Sequence, residues 1–307
     1  MKKKKSKQTA SSVNSRLISR PIQRCFLVFM VPTFAAFCIG FIWPFIQGIY
    51  LSFCEFTLPA DAEFVGFSNY MKALSDEGFR YSFVYTAAFA IVSIIAINVL
   101  AFTVAYFLTQ NIKGANIFRT VFFMPNLIGG IVLGYIWSMI FDGILKKYET
   151  YLLAETEYGF WGLLILMCWQ QIGYMMIIYN AGLQSISEDM MEAARIDGAN
   201  KWQTLWKVTI PNMMSSFTIC IFLTLTNSFK LFDQNLALTN GMPVTFGEGG
   251  KMIYSTQMLA LNIYQTFYGT GTTARGLAQA KAVVFFILVA ILALAQLRFT
   301  RDKEVQQ

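Results

Sequence analysis

Amide and aromatic side chains recur inside the most apolar stretches of this 307-residue sequence. Polar groups in such surroundings are costly unless they face a partner or a wet cavity. Amides form hydrogen bonds with hydroxyl groups, and an aromatic ring can pack against the C–H face of a sugar ring. The pattern therefore indicates a site for a neutral, hydroxyl-rich solute, with Asn227 and Gln170 as its first candidates. The remaining candidates are Trp169, Tyr174, Asn126, Trp137, Ser228 and Lys230.

Helix packing is the competing role for each of these residues. Trp and Tyr are enriched at membrane interfaces, and Asn and Gln often join neighbouring helices. Lys230 and Asp233 are three residues apart, so on a helix they could form an ion pair with a structural or gating role near the outer end of a span. Lys230 and Lys281 are the only lysines inside the apolar stretches, which favours a neutral solute over a phosphate ester.

The composition excludes several kinds of reaction centre. The chain has no histidine, which rules out a histidine-dependent catalytic triad and a histidine-ligated metal site. Its five cysteines lie far apart in or beside apolar runs, as is typical of small buried hydrophobic residues. The chain lacks a G-x-x-x-x-G-K-[ST] phosphate-binding loop, and the nearest string, at 247–252, has no hydroxyl after its lysine. We therefore expect no catalytic residue, no metal ligand and no cofactor bound by this chain.

Six stretches must position these side chains, and each is long and apolar enough to cross a bilayer as a helix of about 20 residues. Hydrophobic residues make up 56% of the chain and charged residues only 13%, against roughly 25% charged in a soluble domain. The sequence therefore predicts an all-α integral membrane protein with six transmembrane helices. The stretches are 25–53, 81–109, 118–141, 161–183, 213–236 and 278–299. Pro32, Pro44 and Pro125 predict kinks in the first and third.

Charge predicts the orientation of these spans. With the N-terminus in the cytoplasm, 16 of the 24 lysine and arginine residues fall on the inner side, which the positive-inside rule favours. Both termini are then cytoplasmic, and residues 1–24 form a basic tail. A signal peptide is the competing interpretation of the N-terminus, but the apolar run is longer than the 7–15 residues expected of one. The basic charge follows topology, so we expect no nucleic-acid partner.

The loop between the fourth and fifth spans has strong local signals for helix. Ser187, followed by acidic residues, predicts a helix N-cap. Residues 190–196 are helix-prone, and Gly198 is suited to end this helix in a left-handed conformation. A second short amphipathic helix is predicted over 201–208, and Pro211 marks the start of the next span. These signals predict a structured helical turn at the membrane surface, for which an ordinary interfacial connector is the alternative.

The same loop resembles the signature of the membrane subunits of binding-protein-dependent ABC importers. That signature reads Glu-Ala-Ala, three residues, Gly, nine residues, then Ile-x-Leu-Pro. This chain has Glu192-Ala193-Ala194, Gly198 and Val208-Thr209-Ile210-Pro211 at matching spacing, and Asp197 and Ala199 extend the likeness to the carbohydrate-importing branch, which includes maltose and glycerol-phosphate permeases. Segments 116–125, 227–233 and 238–243 are similar to the same branch. Met242 stands where a second glycine is usual, which leaves the turn of that loop open.

The resemblance implies a type I importer transmembrane fold. Residues 25–80 would form the first transmembrane helix and an outer loop, 81–299 the transmembrane core, and 300–307 a second cytoplasmic tail. It also implies that the helix at Glu192–Gly198 is a coupling helix that docks on a separate ATPase. The implied coupling residues are Glu192, Ala193, Ala194, Asp197, Gly198, Ala199 and Pro211.

The resemblance further implies the partners of the chain. They are a dimer of ATP-binding subunits, which would hold ATP and Mg, a second permease subunit, and an extracytoplasmic substrate-binding protein. A homologue is the commoner second permease subunit in this branch, and a second copy of this chain is the alternative. The implied solute is a sugar, most simply a di- or oligosaccharide, with glycerol-phosphate esters as the nearest competitor. An ion-coupled secondary transporter is the third alternative, although the sequence shows no internal repeat and only Asp233 as an acidic residue within a span.

Overall fold

The computed structural model describes residues 26, 28, 30–110, 112–247, 250–269 and 274–301. These residues belong to two compact units, the first ending at Leu51 and the second beginning at Ser52. The predicted basic tail at 1–24, and 302–307 of the second predicted tail, lie outside the described residues.

Helices make up most of the described chain. They are α1 (Met30–Ser52), α2 (Ser68–Ser75), α3 (Glu77–Leu108), α4 (Ala115–Phe123), α5 (Gly130–Leu145), α6 (Thr156–Gln184), α7 (Glu188–Ile196), α8 (Lys201–Asn212), α9 (Met214–Phe229), α10 (Asp233–Leu238), α11 (Leu259–Gly269) and α12 (Arg275–Arg301). Short 3₁₀ turns at Pro59–Asp61, Met124–Leu127 and Lys146–Tyr148 extend this set, and π-helical turns lie at Cys38–Ile42 in α1 and Leu205–Thr209 in α8.

Two small antiparallel hairpins lie between helices, and the sequence predicted neither. Strand β1 (Cys54–Glu55) pairs with β2 (Glu63–Phe64), and β3 (Val244–Phe246) pairs with β4 (Met252–Tyr254). The first hairpin is fixed by Asn69 of α2, whose Nδ2 donates to the carbonyl oxygens of Ser52 and Cys54 at 3.1 and 2.9 Å. Just before β3, Gly241 has φ +84° and the Met242–Pro243 peptide bond is cis.

Four described helices, α1, α3, α6 and α12, are long and apolar enough to cross a membrane. The number rises to six if each of two bent helix pairs counts as one span. One pair consists of α4 with its following 3₁₀ turn and α5, which meet at 101°, and the other of α8 and α9, which meet at 70°. The predicted count of six therefore agrees with the structure only when the third and fifth spans are bent.

The kink predicted at Pro125 in the third stretch is confirmed, whereas the prediction of one continuous helix is wrong for the fifth stretch. In 118–141 the chain turns sharply after the 3₁₀ turn that contains Pro125, which has no N–H to continue a helix. In 213–236 helix α9 ends at Phe229, and α10 begins only at Asp233. Tertiary contacts explain this second break, because buried Asn235 of α10 donates to the Thr256 carbonyl and accepts from the Met258 N–H.

The core of the second unit lies where α3, α6 and α9 pack together. Phe89, Leu163 and Met175 are among its fully buried side chains. A buried polar chain crosses this core, since the Tyr179 hydroxyl and Asn98 Oδ1 are 2.6 Å apart and Asn98 Nδ2 donates to Thr224 Oγ1 at 3.3 Å. This chain of hydrogen bonds joins all three helices, which is the packing role that the sequence left open for polar residues within spans.

The backbone of α6 contacts the backbone at the end of α4, just before the bend between α4 and α5. A Cβ atom placed on Gly173 would lie 1.9 Å from the carbonyl oxygen of Phe122. Only glycine allows an approach this close, so at this point the two helices are separated by no side chain of α6.

The sequence predicted that the cysteines are buried, and the structure agrees for the cysteines of the second unit. Cys54 and Cys220 are fully buried, and Cys168 is half-buried. Cys25 lies outside the described residues.

Candidate functional site

A polar pocket of about 160 Å³ lies between α6, α9 and α10. Its walls contain Met167, Gln171, Asn227, Lys230, Leu231 and Gln234. The pocket exists because the chain leaves helical geometry between α9 and α10, which brings residues from the ends of both helices against the middle of α6. The site thus consists mainly of amides, one ammonium group and two apolar side chains.

The amides around the pocket form hydrogen bonds with one another. Asn227 Nδ2 donates to Gln171 Oε1 at 3.4 Å. Gln234 Nε2 donates to Gln170 Oε1 at 2.7 Å, and Gln170 Nε2 donates to the Ile128 carbonyl at 3.3 Å. Gln170 is therefore buried beneath the pocket and holds Gln234 in position, whereas Asn227 lines the pocket itself.

The predicted ion pair between Lys230 and Asp233 is wrong. Lys230 is the residue that follows α9, and Asp233 is the first residue of α10, so the helical spacing that would bring them together does not apply. Among the described residues the ion pair found is a different one, between Lys281 and Asp76. Lys230 is exposed at the pocket, whereas Lys281 pairs with Asp76 and does not line the pocket.

The other predicted solute-contacting residues lie outside the pocket lining. Ser228 is fully buried, and its hydroxyl donates to the Thr224 carbonyl at 2.8 Å. Trp169 is 41% exposed and packs edge-on against Trp137, with ring centroids 5.6 Å apart. Tyr174 is half-buried against the main core, and Asn126 is half-buried in the 3₁₀ turn after α4. Of the candidates, the structure therefore brings only Asn227 and Lys230 together in the pocket.

Sequence reasoning missed four pocket residues as solute contacts, of which Leu231 is an ordinary apolar residue of a span. Gln171 and Gln234 were visible as amides in apolar stretches, but their convergence depends on the break between α9 and α10. Met167 carried no signal, because a methionine on an apolar helix is ordinary core composition.

Helix α7 and its termination agree closely with the prediction. Ser187 Oγ accepts from the Asp189 N–H at 3.2 Å and caps the helix. Gly198 has φ +74°, and the following Ala199 N–H returns to the Ala194 carbonyl at 3.0 Å. Helix α8 begins with a capping box that the sequence analysis did not identify, in which Asn200 and Gln203 exchange hydrogen bonds of 2.8 and 2.9 Å.

The surface of α7 and α8 is apolar as well as exposed. Ile196 is 81% exposed, Trp202 67% and Trp206 55%, and the two indoles lie 5.8 Å apart. The side chains of Glu192, Ala193 and Asp197 are exposed, Ala194 is buried, and Ala199 and Pro211 are half-buried. No atom lies within 4 Å of a Cβ placed on Gly198. An exposed apolar surface of this kind is typical of a surface that contacts another protein or the membrane.

A side-chain contact joins the helix that precedes α7 to α4. In the amide orientation that satisfies both groups, Asn180 Oδ1 accepts from Arg119 Nε at 2.7 Å and Nη2 at 3.1 Å. Asn180 lies in the last turns of α6, close to the short connection that leads into α7. The surface helix is therefore attached to a part of α6 that is itself fixed to α4.

Comparison with known proteins bears on both parts of the site. Residues 102–304 match the protein family described as the binding-protein-dependent transport system inner membrane component. A probable starch degradation products transport system permease protein of Thermoanaerobacterium thermosulfurigenes is 42% identical over 91% of this chain and 94% of its own length. A multiple sugar-binding transport system permease protein of Streptococcus mutans is 30% identical, over 87% of this chain and 92% of its own.

A solved structure shows the same fold. It is a bacterial ABC transporter involved in the import of the acidic polysaccharide alginate, one chain of which matches with a TM-score of 0.75 and 18% sequence identity. The match covers 93% of this chain and 99% of that chain. The predicted fold, that of an ABC importer transmembrane subunit, is confirmed.

Proposed function

The chain belongs to the family of binding-protein-dependent transport system inner membrane components, and from this we propose that it is the permease subunit of an ATP-driven sugar importer. The observation that carries the proposal is the 42% identity, over nearly the full length of both chains, to a permease described for starch degradation products. That description favours a di- or oligosaccharide as the solute.

The pocket has the chemistry that such a solute requires. Amides offer both donors and acceptors to sugar hydroxyls, and Gln171, Asn227 and Gln234 supply three of them. Its volume of about 160 Å³ is below the roughly 300–1,000 Å³ typical of small-molecule sites. We infer that it holds one part of a solute and that a second membrane subunit completes the site.

A glycerol-phosphate ester is the second candidate solute. Exposed Lys230 in the pocket favours it, because an ammonium group attracts a phosphate. A relative described as an sn-glycerol-3-phosphate transport system permease protein, from Agrobacterium fabrum, is 26% identical. The lower identity and the amide-rich lining support the sugar as the first candidate.

We also propose that α7 and Gly198 dock on a separate ATP-hydrolysing subunit, which would bind ATP and Mg. Glu192, Ala193 and Ile196 are exposed there, and the open space beside Gly198 would admit a close approach by that subunit. Both termini would then lie in the cytoplasm, and an extracytoplasmic binding protein would deliver the solute on the other side. The chain itself would have no catalytic role.

Helix α6 supports this arrangement, because one element carries both sites. Residues 185–187 are all that separates its end from α7, and its middle carries Gln171 of the pocket. At about 1.5 Å per residue, the pocket wall is roughly 20 Å from the end of the helix. Closure of an ATPase dimer would move α7, and with it a rigid helix that forms part of the solute site.

The proposal is tested by recovering the chain from its native membrane in mild detergent and identifying what accompanies it by mass spectrometry. A P-loop ATPase and a second polytopic membrane subunit are expected, and the reconstituted complex should take up sugar only with ATP. Recovery of the chain alone, with transport in the absence of ATP, would instead support the secondary transporter.

Removing the pocket amide of Asn227 tests the solute site. We expect Asn227→Ala to weaken solute binding by up to about tenfold, because one net hydrogen bond contributes about 0.5–1.5 kcal/mol. The measurement is ATP-driven uptake by the reconstituted complex as a function of solute concentration. Thr226→Ala is the matched control, since the Thr226 hydroxyl bonds only to carbonyls of its own helix, at 2.9 and 3.0 Å. Equal behaviour of the two variants would contradict the assignment.

A further inference from the structure

Three aromatic rings form a row that begins at the residue after one of the pocket residues. Phe232 directly follows the pocket residue Leu231, and its ring centroid lies 5.0 Å from that of Tyr264 on α11. The Tyr264 centroid lies 4.9 Å from that of Tyr268, one turn further along the same helix. Tyr264 is 41% exposed and Tyr268 is 69% exposed. We call these three residues the aromatic row.

The opposite face of α11 is firmly held, so the aromatic row stands on a fixed support. Asn262 and Thr266 are buried on that face, and each accepts a hydrogen bond of 2.9 Å from Lys281 Nζ. Leu261 is fully buried on the same helix. With one face of α11 occupied by α12 and the core, the two tyrosines are presented on the other.

Burial does not account for the exposed end of the row. Tyr268 contacts the rings of Phe267 and Tyr264, with centroids 4.8 and 4.9 Å away, and still has most of its surface exposed. Aromatic rings with a hydroxyl edge offer an apolar face and a hydrogen-bonding group together. This combination matches a sugar ring, which has C–H faces and hydroxyl edges.

We propose that the aromatic row is an outer subsite on which the trailing sugar units of an oligosaccharide stack while its leading unit occupies the pocket. The inference rests on the proposed function and deepens it, since it assigns the solute to oligosaccharides of more than two units. Two observations carry it: the pocket is too small for a whole oligosaccharide, and the row starts at the residue that follows Leu231 of the pocket and ends at an exposed tyrosine.

The test uses the complete importer complex in liposomes, with its binding protein saturated by linear glucose oligomers of two to five units. We expect Tyr264→Ala and Tyr268→Ala to lower the maximal uptake rate of the tetramer and pentamer by about three- to tenfold, since an aromatic stacking contact contributes about 0.5–1.5 kcal/mol. Uptake of the dimer should stay within about twofold of wild type. Tyr268→Phe, which keeps the ring, should restore long-chain uptake.

The control is Tyr151→Ala, which removes a tyrosine that is 58% exposed but belongs to the connection between α5 and α6. It should leave the dependence on chain length unchanged. A loss that is equal for all oligomers would indicate that the row is an interfacial aromatic belt or a packing surface, and would overturn the subsite. No loss for any oligomer would overturn it as well. If the wild-type complex takes up no glucose oligomer at all, the sugar assignment itself fails, and the subsite with it.

Discussion

Gly198→Leu is expected to reduce ATP-driven uptake by at least about tenfold while the permease still folds in the membrane. Two causes act together. Gly198 has φ +74°, a conformation that costs a residue with a Cβ roughly 1–2 kcal/mol. The added side chain meets no atom of this chain within 4 Å, so its bulk would press on the docked ATPase, where overpacking costs typically about 1–3 kcal/mol.

Two further variants separate these causes. Asparagine tolerates the left-handed region, so Gly198→Asn adds bulk with little backbone strain and should still impair docking. Gly114→Leu is the matched control, because Gly114 also has a positive φ, +83°, with no neighbour within 4 Å. The measurements are co-purification of the ATPase, its stimulation by loaded binding protein, and uptake. Normal uptake and stimulation in both Gly198 variants would contradict the docking role.

Asp76→Asn is expected to destabilise the protein more than any other single neutralisation of a described charged residue. Lys281 is 2% exposed, and its Nζ lies 2.5 Å from Asp76 Oδ2, 5.4 Å from the ring centroid of Phe79. Without the carboxylate the ammonium group is left buried with only neutral acceptors. Breaking a buried ion pair in this way costs about 3–5 kcal/mol, and the partial exposure of Asp76 places the effect near the lower end.

The loss of stability in Asp76→Asn should come from the unpaired charge of buried Lys281 and not from the loss of the Asp76 carboxylate itself. Lys281→Met removes the cation and keeps the length of the side chain, so the double variant Asp76→Asn/Lys281→Met should be more stable than Asp76→Asn alone. Asparagine can still cap α3 by accepting from the Gly78 N–H, as Asp76 does at 3.2 Å. Thermal unfolding of the purified proteins in detergent measures the order of stability of wild type, the single variant and the double variant. A single variant as stable as wild type would refute the argument.

Local sequence signals were sufficient to predict the surface helix α7 and its two ends. The cap at Ser187 and the left-handed Gly198 depend on residues within a few positions, and the structure has both as predicted. The long helices α3, α6 and α12 likewise coincide with the predicted apolar stretches to within five residues at each end. Propensity and hydropathy are enough to predict these features.

The pocket was predictable in composition but not in geometry. The amides were visible in the sequence, whereas the break that brings them together depends on contacts far apart along the chain. A Cβ on Gly130 would lie 2.8 Å from Asp233 Cβ, and one on Gly134 would lie 2.5 Å from Ala237 Cβ, so α5 and α10 pack at the closest range. This packing fixes α10 as a separate helix. The partner of Lys281 was equally hidden, because Asp76 lies 205 positions away.

Because Gly173 contacts the Phe122 carbonyl without a side chain between them, α6 could tilt about this point as a lever with two arms of unequal length. Gln184, the last residue of α6, is eleven positions from this point, or about 16 Å along the helix, whereas Gln171 is two positions away, or about 3 Å. A tilt of α6 about Gly173 would therefore sweep α7 through a distance roughly five times that travelled by the pocket wall. Such a lever converts a large displacement of α7 at the surface into a small displacement of Gln171 at the pocket.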